Sequence, residues 1–370
     1  MKIGILGDLH LGYSRFEEDS YIQAERALRD ASNKADIVIV AGDIFDSRIP
    51  KLETIKKAVE IFKSLTVPTI AIHGNHERRT KGFDNPISVL ASAGAVIYLS
   101  SSEYTFEKNN ERITVIGIGS VPEEYAEETI AKLVGNFTPS QEGFRIFVIH
   151  QNVNELVNQT GVSLDFLSKL PFDLIINGHI HAKHVKLGGK LVIPGSTVIT
   201  QLKKEETQAK GYYLFDTVTR KLEFVEIPTR KFFYEELRFS GASERDVVST
   251  IVSRIDEIRN GWRDAIIALK LTGSLREGLR ASDIRLRVDD PLVFITNELN
   301  VADIKERIEE IKKISESNIS IKEFGRMQLE KRIGDKIKLF KPSELFEKLI
   351  EEPDIAETYL MEIIEGRAQG

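Results

Sequence analysis

Seven histidines are spread along this chain: His10, His73, His76, His150, His179, His181 and His184. Five of them fall in short polar clusters, each following an apolar run. Asp8 and His10 follow Ile3–Leu6, Asp43 closes Val40-Ala41-Gly42-Asp43, and Gly74-Asn75-His76 follows Thr69–Ile72. His150 ends Phe147-Val148-Ile149-His150, and Gly178-His179-Ile180-His181 follows Leu174–Ile176. The side chains of Asp8, His10, Asp43, Asn75, His150, His179 and His181 offer oxygen and imidazole nitrogen without sulfur. That donor chemistry suits Mn²⁺, Fe or Zn²⁺ better than Cu⁺, and imidazole argues against Ca²⁺ or Mg²⁺ alone. Seven donors exceed what one tetrahedral site needs. Two metals about 3.5–4 Å apart, sharing one carboxylate, use them economically. The alternation in His179-x-His181 puts both rings on one side of an extended segment. Glycines at 42, 74 and 178 permit the tight turns such loops need. A lone histidine after a strand is commonplace, whereas five such clusters in succession are hard to arrange otherwise. His184 reads as a loop residue, and His73 as a packed or supporting group beside the ligands.

The elements that must hold these clusters are legible in outline. The runs Ile3–Leu6, Ile37–Val40, Thr69–Ile72, Ile113–Ile118, Arg145–Ile149, Leu174–Ile176 and Leu191–Ile193 are continuous rather than alternating, as in strands buried on both faces. If they share one sheet, the polar clusters gather at its carboxyl edge, where open α/β sheets bind ligands. Helical spacing of Ile55, Ala58, Val59 and Phe62 marks Lys51–Leu65. Ile61 and Leu65 flank that stripe, and core burial explains them most simply. Tyr212–Phe215 and Leu222–Ile227 read as a closing hairpin. The result is a layered α/β domain over residues 1–229.

After Pro228 the pattern changes. Ser243 can cap a helix carrying Val247, Val248, Ile251, Ile255 and Ile258. Strand-like runs follow at Ile266–Leu271, Ile284–Val288 and Leu292–Thr296, then a helix with Val301, Ile304, Ile308, Ile311 and Ile314. This predicts a smaller α+β domain over residues 230–316. Residues 317–370 form a basic linker and an acidic helical tail. One tail helix starts at Ser343 with Leu345, Phe346, Leu349 and Ile350 on one side, and another starts at Asp354 with Ile355, Tyr359 and Ile363. Such faces serve to dock a partner or to fold back on the second domain.

The 370 residues carry a net charge of −6 and no cysteine. The length is enough for two or three domains at about 150 residues each. Zero cysteines exclude disulfide scaffolds, thiolate nucleophiles and Cys-ligated zinc or iron–sulfur centres. The acidic balance gives no globally basic surface for nucleic acid or anionic membrane, and leaves room for a local patch. No apolar run approaches the roughly 18 residues of a membrane span, and Ile3–Leu6 is too short for a signal segment. The expected location is cytoplasmic.

The series Gly7-Asp8-Leu9-His10-Leu11-Gly12-Tyr13, Gly42-Asp43-Ile44-Phe45-Asp46, Gly74-Asn75-His76-Glu77, His150 and Gly178-His179-Ile180-His181 resembles the calcineurin-like metallophosphoesterases over residues 1 to about 230. The opening Asp-x-His-Leu-Gly-Tyr, with a second domain and a helical tail, is similar to the SbcD/Mre-eleven double-strand-break repair nucleases. The resemblance implies a layered β-sandwich flanked by helices, with a smaller α+β cap domain and a C-terminal helical tail. It also implies two divalent ions per subunit, most simply Mn²⁺. One falls to Asp8, His10, Asp43 and His181, the other to Asp43, Asn75, His150 and His179, with Asp43 bridging. His76 is then placed to stabilise phosphoryl charge or protonate the leaving group.

The function so implied is metal-dependent hydrolysis of DNA phosphodiesters, by exonuclease or endonuclease action, in repair of double-strand breaks. The implied partners are a second copy of the chain and an SbcC/Rad-fifty-type, SMC-like ABC ATPase bound through the C-terminal helices. Partner-binding candidates are Leu345, Phe346, Leu349, Ile355, Tyr359 and Ile363. Candidates for DNA phosphates are Arg78, Arg79, Lys81, Lys183, Lys186, Lys203 and Lys204, near the catalytic loops. Asp46 stands where some of these nucleases carry a histidine linked to exonuclease action, and Glu77 where Asp is common. The Asp-Arg-Gly extension of serine/threonine phosphatases is missing after Asp43. Two other readings share the sequence features: a small-molecule phosphodiesterase of the same superfamily, and a non-catalytic scaffold of the same fold.

Overall fold

A computed structural model describes residues 1–80, 83–137, 143–286, 288–300, 323, 326, 342–351 and 359–361. In chain order, β1 (Lys2–Leu6) is followed by α1 (Glu17–Lys34), β2 (Ile37–Val40), α2 (Leu52–Lys63), β3 (Thr69–Ala71), α3 (Pro86–Ser92) and β4 (Ile97–Tyr98). Next come β5 (Ser102–Lys108), β6 (Glu111–Gly117), α4 (Ala126–Asn136), β7 (Phe144–Ile149), α5 (Asn154–Val157), α6 (Leu164–Lys169) and β8 (Leu174–Asn177). The strands β9 (His184–Lys186), β10 (Leu191–Ile193), β11 (Gly211–Asp216) and β12 (Leu222–Glu226) complete this part.

The apolar runs do not share one sheet. They divide between two six-stranded sheets, ordered β12-β11-β1-β2-β3-β4 and β5-β6-β7-β8-β10-β9. In the first, β1, β2, β3 and β4 are parallel and β11 closes antiparallel on β1. In the second, β6, β7, β8 and β10 are parallel, with β5 and β9 added antiparallel at the edges. Period-2 placement within each strand builds three apolar layers. Ile3, Ile5, Ile37, Ile39 and Ile70 of one sheet meet Val115, Ile146, Val148 and Ile176 of the other in the interior. Leu6, Val38 and Val40 face Ala24, Leu28, Ala58, Ile61 and Phe62 of α1 and α2. On the far side, Phe147, Ile149 and Ile175 face Ile130, Leu133 and Leu167 of α4 and α6. Both faces of the inner strands are therefore covered, which is why their sequences run apolar without alternation. Ile61 lies in the core at 1% exposure, so its place in the helix pattern is explained by packing within the chain.

Beyond β12 lie β13 (Phe232–Ala242), α7 (Glu244–Gly261), β14 (Ile266–Leu275) and β15 (Val293–Leu299), with the strands in a three-stranded sheet ordered β13-β14-β15. Ser243 caps α7 as its sequence predicts, its Oγ accepting from the Asp246 N–H at 3.3 Å. Ile284–Val288 is not a strand among its described residues. A tight turn at Ala281–Asp283, closed by the Arg280 N–H on Asp283 Oδ2 at 2.8 Å, occupies the preceding segment instead.

By compactness the chain forms two units. One comprises Met1–Glu236, Thr250–Lys270 and Arg287–Thr296. Within it Ile266 joins Phe16, Val198 and Ile199 in a small apolar cluster. The other comprises Leu237–Ser249, Leu271–Leu286 and Asn297–Gly370. It includes α8 (Pro342–Glu351), one residue longer at its start than Ser343 suggests, with proline at the helix N-terminus. The helix expected around Val301 to Ile314 lies outside the described residues. No helix among the described residues is long and apolar enough to cross a membrane.

Candidate metal centre and active site

The loops that leave the carboxyl ends of β1, β2 and β3 meet those that leave β7 and β8. Two hydrogen bonds tie the sheets together there. The His179 N–H donates to Asp8 Oδ1 at 2.9 Å, and His150 Nδ1 lies 2.7 Å from the Ala41 carbonyl oxygen. Asp8, His10, Asp43 and His179 all take positive φ, at 53°, 47°, 48° and 75°. Non-glycine residues avoid this region, so its concentration in four neighbouring loop residues marks a site that the surrounding fold holds in place. Two glycines make the approach possible. At Gly42, with φ 84°, a Cβ would lie 2.5 Å from His150 Nδ1, and at Gly74 it would overlap the Asp43 carboxylate.

Seven side chains converge, in the groupings Asp8–His10–His181, His10–Asp43–His76 and Asp43–His150–His179, within each of which the donor atoms lie within 4.8 Å of one another. The hydrogen bonds at the cluster show what the convergence suits. A carbonyl only accepts, so His150 carries a proton on Nδ1 and turns Nε2 toward Asp43 Oδ2 at 3.2 Å and Asn75 Oδ1 at 3.0 Å. Asn75 Oδ1 also lies 2.8 Å from His179 Nδ1. On the other side, His10 Nδ1 donates to Asp46 Oδ1 at 3.0 Å, and its Nε2 lies 3.1 Å from His181 Nε2. Asp8 Oδ2 is buried with no hydrogen-bond partner. Four ring nitrogens, two carboxylates and an amide oxygen thus crowd together with few protons among them, an arrangement that a cation satisfies. The donor set fits divalent metal.

The electrostatics agree. Burial raises Asp8 to about 6. Burial also works to lower His150, yet the Asp43 charge overrides it and lifts the imidazole to about 9. Burial opposes ionisation of Asp43, and His150 nevertheless draws it well below the ordinary carboxylate range. Burial and His150 lower His179 to about 4, and burial holds His181 well below the ordinary imidazole range. Protons and a divalent cation compete for the same atoms here.

His76 sits differently. Its backbone N–H donates to Asp43 Oδ1 at 3.0 Å, and its Nδ1 donates to the Asp46 carbonyl at 2.9 Å. That leaves Nε2 free, with the ring edge-on to His10 at 4.9 Å between centroids and 37% exposed. His76 lines a cleft of about 650 Å³ together with Asp43, Asn75, His179 and His181. A larger cavity, of about 810 Å³, is lined by Glu107, Arg112, Phe144 and Arg220 among others and contains no histidine.

Three features were not legible from the motifs. Asp46, read as a departure from relatives, orients His10. Glu77, read as a minor difference, is fully buried and accepts from the Phe45 and Gly74 N–H groups, both at 2.7 Å, so one carboxyl ties the loops after β2 and β3 together. Burial, with Asp43 adding, raises its pKa to about 8. Replacing it, Glu77→Gln, sets an amide NH₂ against one of those N–H groups. The expected cost is about 1–3 kcal/mol, seen as a lower urea midpoint with unchanged m-value; an unaltered midpoint would remove Glu77 from the brace. The third feature is a buried network behind His181, formed by Thr200, Glu206 and Lys210.

The remaining candidates are placed as follows. Lys203 is exposed and lines the cleft; Lys186 and Lys204 are exposed outside it. Arg78 is half-buried, and Arg79 is exposed with its guanidinium over Phe83 at 5.5 Å. Lys183 is already engaged, over the Phe224 ring at 3.9 Å and donating to the Ala209 carbonyl at 3.1 Å. Lys81 lies outside the described residues. His184 begins β9 and also lines the cleft, and His73 accepts or donates at Tyr98 OH, 2.8 Å away. In the second unit, Leu345 is buried, Phe346 is half-buried, and Tyr359 donates to Glu344 Oε2 at 2.9 Å. The Leu349 side chain, Ile355 and Ile363 lie outside the described residues.

The calcineurin-like phosphoesterase family matches residues 1–183. Similar whole proteins include the human double-strand break repair protein MRE11, 24% identical over 78% of this chain and 50% of that protein. The DNA double-strand break repair protein Mre11 of Methanocaldococcus jannaschii is 24% identical over 69% of this chain and 73% of that protein. That of Methanopyrus kandleri is 28% identical over 61% and 57%. The chain thus spans about half the length of the human protein.

Proposed function

From a chain whose residues 1–183 belong to the calcineurin-like phosphoesterases, we propose a two-metal phosphodiesterase that cleaves DNA in double-strand-break repair. One observation carries the reading: donor atoms from both sheets converge, with Asp43 shared between two of the three groupings. Asp8, His10, Asp43 and His181 would hold one divalent ion, and Asp43, Asn75, His150 and His179 the other, with Mn²⁺ as the proposed metal. When bound, such a pair lowers the pKa of water and neutralises phosphoryl oxygens.

The chain's own residues supply the rest. Asp46 fixes His10 with Nε2 inward, and the Ala41 carbonyl does the same for His150. His76, held by Asp43 Oδ1 and the Asp46 carbonyl, presents Nε2 to the cleft, where it can protonate a departing alkoxide or hydrogen-bond the phosphoryl oxygens. Lys203, Arg78 and Arg79 are the favoured contacts to backbone phosphates, which fix position without reading sequence.

The reading extends to the assembly. Residues 230–316 would act as a cap and DNA-binding domain, residues 317–370 as the segment that binds an SMC-like ABC ATPase, and the chain would pair with a second copy. The relatives named for double-strand break repair support this extension. Phe346→Glu is expected to abolish capture of such an ATPase while leaving DNA cleavage within twofold of wild type; retained capture would overturn the docking assignment.

The central test compares end-labelled duplex and single-stranded DNA with bis-p-nitrophenyl phosphate, in Mn²⁺ and in EDTA. Mn²⁺-dependent DNA cleavage supports the nuclease reading. Turnover of the small diester with DNA untouched would move the assignment to a small-molecule phosphodiesterase.

A further inference from the structure

Residues 196–210 lie beyond the family match and contain a buried polar network whose outer end is an ion pair. Lys210 and Glu206 pair with side chains only 7% and 5% exposed. Removing two charges from water is costly unless further hydrogen bonds satisfy both partners, and both are satisfied here. Lys210 Nζ donates also to Ser196 Oγ at 2.8 Å, and Ser196 Oγ donates to the Val198 carbonyl at 2.8 Å. Glu206 Oε1 receives the Thr200 hydroxyl at 3.0 Å. Thr200 has one hydroxyl proton and spends it on the carboxylate, so its oxygen must accept from His181 Nδ1, 2.5 Å away. The Thr200 backbone is itself anchored, with the Tyr13 hydroxyl donating to its carbonyl at 2.7 Å.

The consequence falls on His181. With its proton fixed on Nδ1, its lone pair sits on Nε2, 3.1 Å from His10 Nε2 and grouped with the Asp8 carboxylate. We infer that Thr200 and Glu206 are positioning residues for His181. Through the chain His181–Thr200–Glu206 they fix its tautomer and ring orientation and strengthen Nε2 as a donor to a divalent cation. The inference rests on the two-metal reading of the site. Lys210 supplies the counter-charge that lets the carboxylate sit buried behind the threonine. The arrangement parallels at one remove the way carboxylates orient metal-binding histidines in general, with a hydroxyl inserted between carboxylate and ring.

The test is calorimetric titration of the full-length protein, freed of metal by EDTA and dialysed, with MnCl₂. Four proteins are compared: wild type, Thr200→Val, Thr200→Ser, and the double variant Glu206→Gln/Lys210→Met, which removes the carboxylate without leaving a buried ammonium alone. Wild type is expected to bind two ions. Thr200→Val, similar in shape but without the hydroxyl, should weaken one of them about 10- to 100-fold and leave the other within twofold. Thr200→Ser should restore wild-type affinity, and the double variant should weaken the same ion as Thr200→Val. A thermal melt in EDTA checks that each variant is folded. Wild-type affinity for both ions in Thr200→Val, or in the folded double variant, would overturn the inference, as would weakness in Thr200→Ser equal to that in Thr200→Val. Fewer than two ions bound by wild type would instead remove the two-metal reading beneath it, a failure distinguishable at the first titration.

Discussion

Protein carrying His76→Ala is expected to bind Mn²⁺ with wild-type stoichiometry and affinity and to cleave DNA about 10²- to 10⁴-fold more slowly, the range removed with a general acid–base group. The separation follows from geometry. His76 reaches the cluster through its backbone N–H on Asp43 and its Nδ1 on the Asp46 carbonyl, while Nε2 has no partner. Alanine keeps the backbone contact to Asp43 and deletes only the ring. A kcat loss with unchanged Mn²⁺ titration would place the ring in the chemical step. Parallel loss of metal and turnover would instead place His76 among the ligands, where its grouping with His10 and Asp43 leaves room for it.

The second large effect is expected at Asp43. Its Oδ2 lies 3.2 Å from His150 Nε2 and 4.0 Å from His10 Nε2, and its Oδ1 receives the His76 N–H at 3.0 Å. It is grouped with His10 and His76 on one side and with His150 and His179 on the other. Asp43→Asn keeps the shape, loses the charge, and leaves one oxygen where two are used. Both Mn²⁺ ions should be weakened together, and DNA cleavage should fall below detection. Thermal unfolding offers an independent readout. Metal at 100 times its Kd adds about 2.7 kcal/mol to a protein that binds it only when folded. Wild type should therefore melt higher as Mn²⁺ is added, and Asp43→Asn should not. A variant that still gains stability from Mn²⁺ would show that the carboxylate is not shared.

Much of the site was legible because each candidate ligand directly follows a short apolar run, and a run of three to six such residues is itself a buried strand. The division of those strands between two sheets was not legible. A fully buried strand is apolar on both faces, so its sequence does not say which neighbours it pairs with. Ser102–Lys108 escaped notice for the opposite reason: as an exposed edge strand it carries mostly polar residues. Asp46 and Glu77 were visible only as deviations from relatives, since their work is done by oxygen atoms on backbone or ring N–H groups and depends on how three loops pack. Thr200, Glu206 and Lys210 form no motif at all. Lys183 was read as a free cation beside the site, and its engagement by Phe224 is a contact between distant parts of the chain that spacing does not encode.

The seven candidate ligands are hung from two different sheets, Asp8, His10, Asp43 and Asn75 from one and His150, His179 and His181 from the other. The distance across which they meet is set by the thickness of the interior layer, where Ile3, Ile5, Ile37 and Ile39 pack against Val115, Ile146 and Val148. Interiors of this density respond to the gain or loss of a single methylene. The side-chain volume of that layer is thus a calibrated spacer for chemistry at its rim. Its residues are constrained twice, once by the stability of the fold and again, within a narrower tolerance, by the gauge they hold between two rows of candidate ligands.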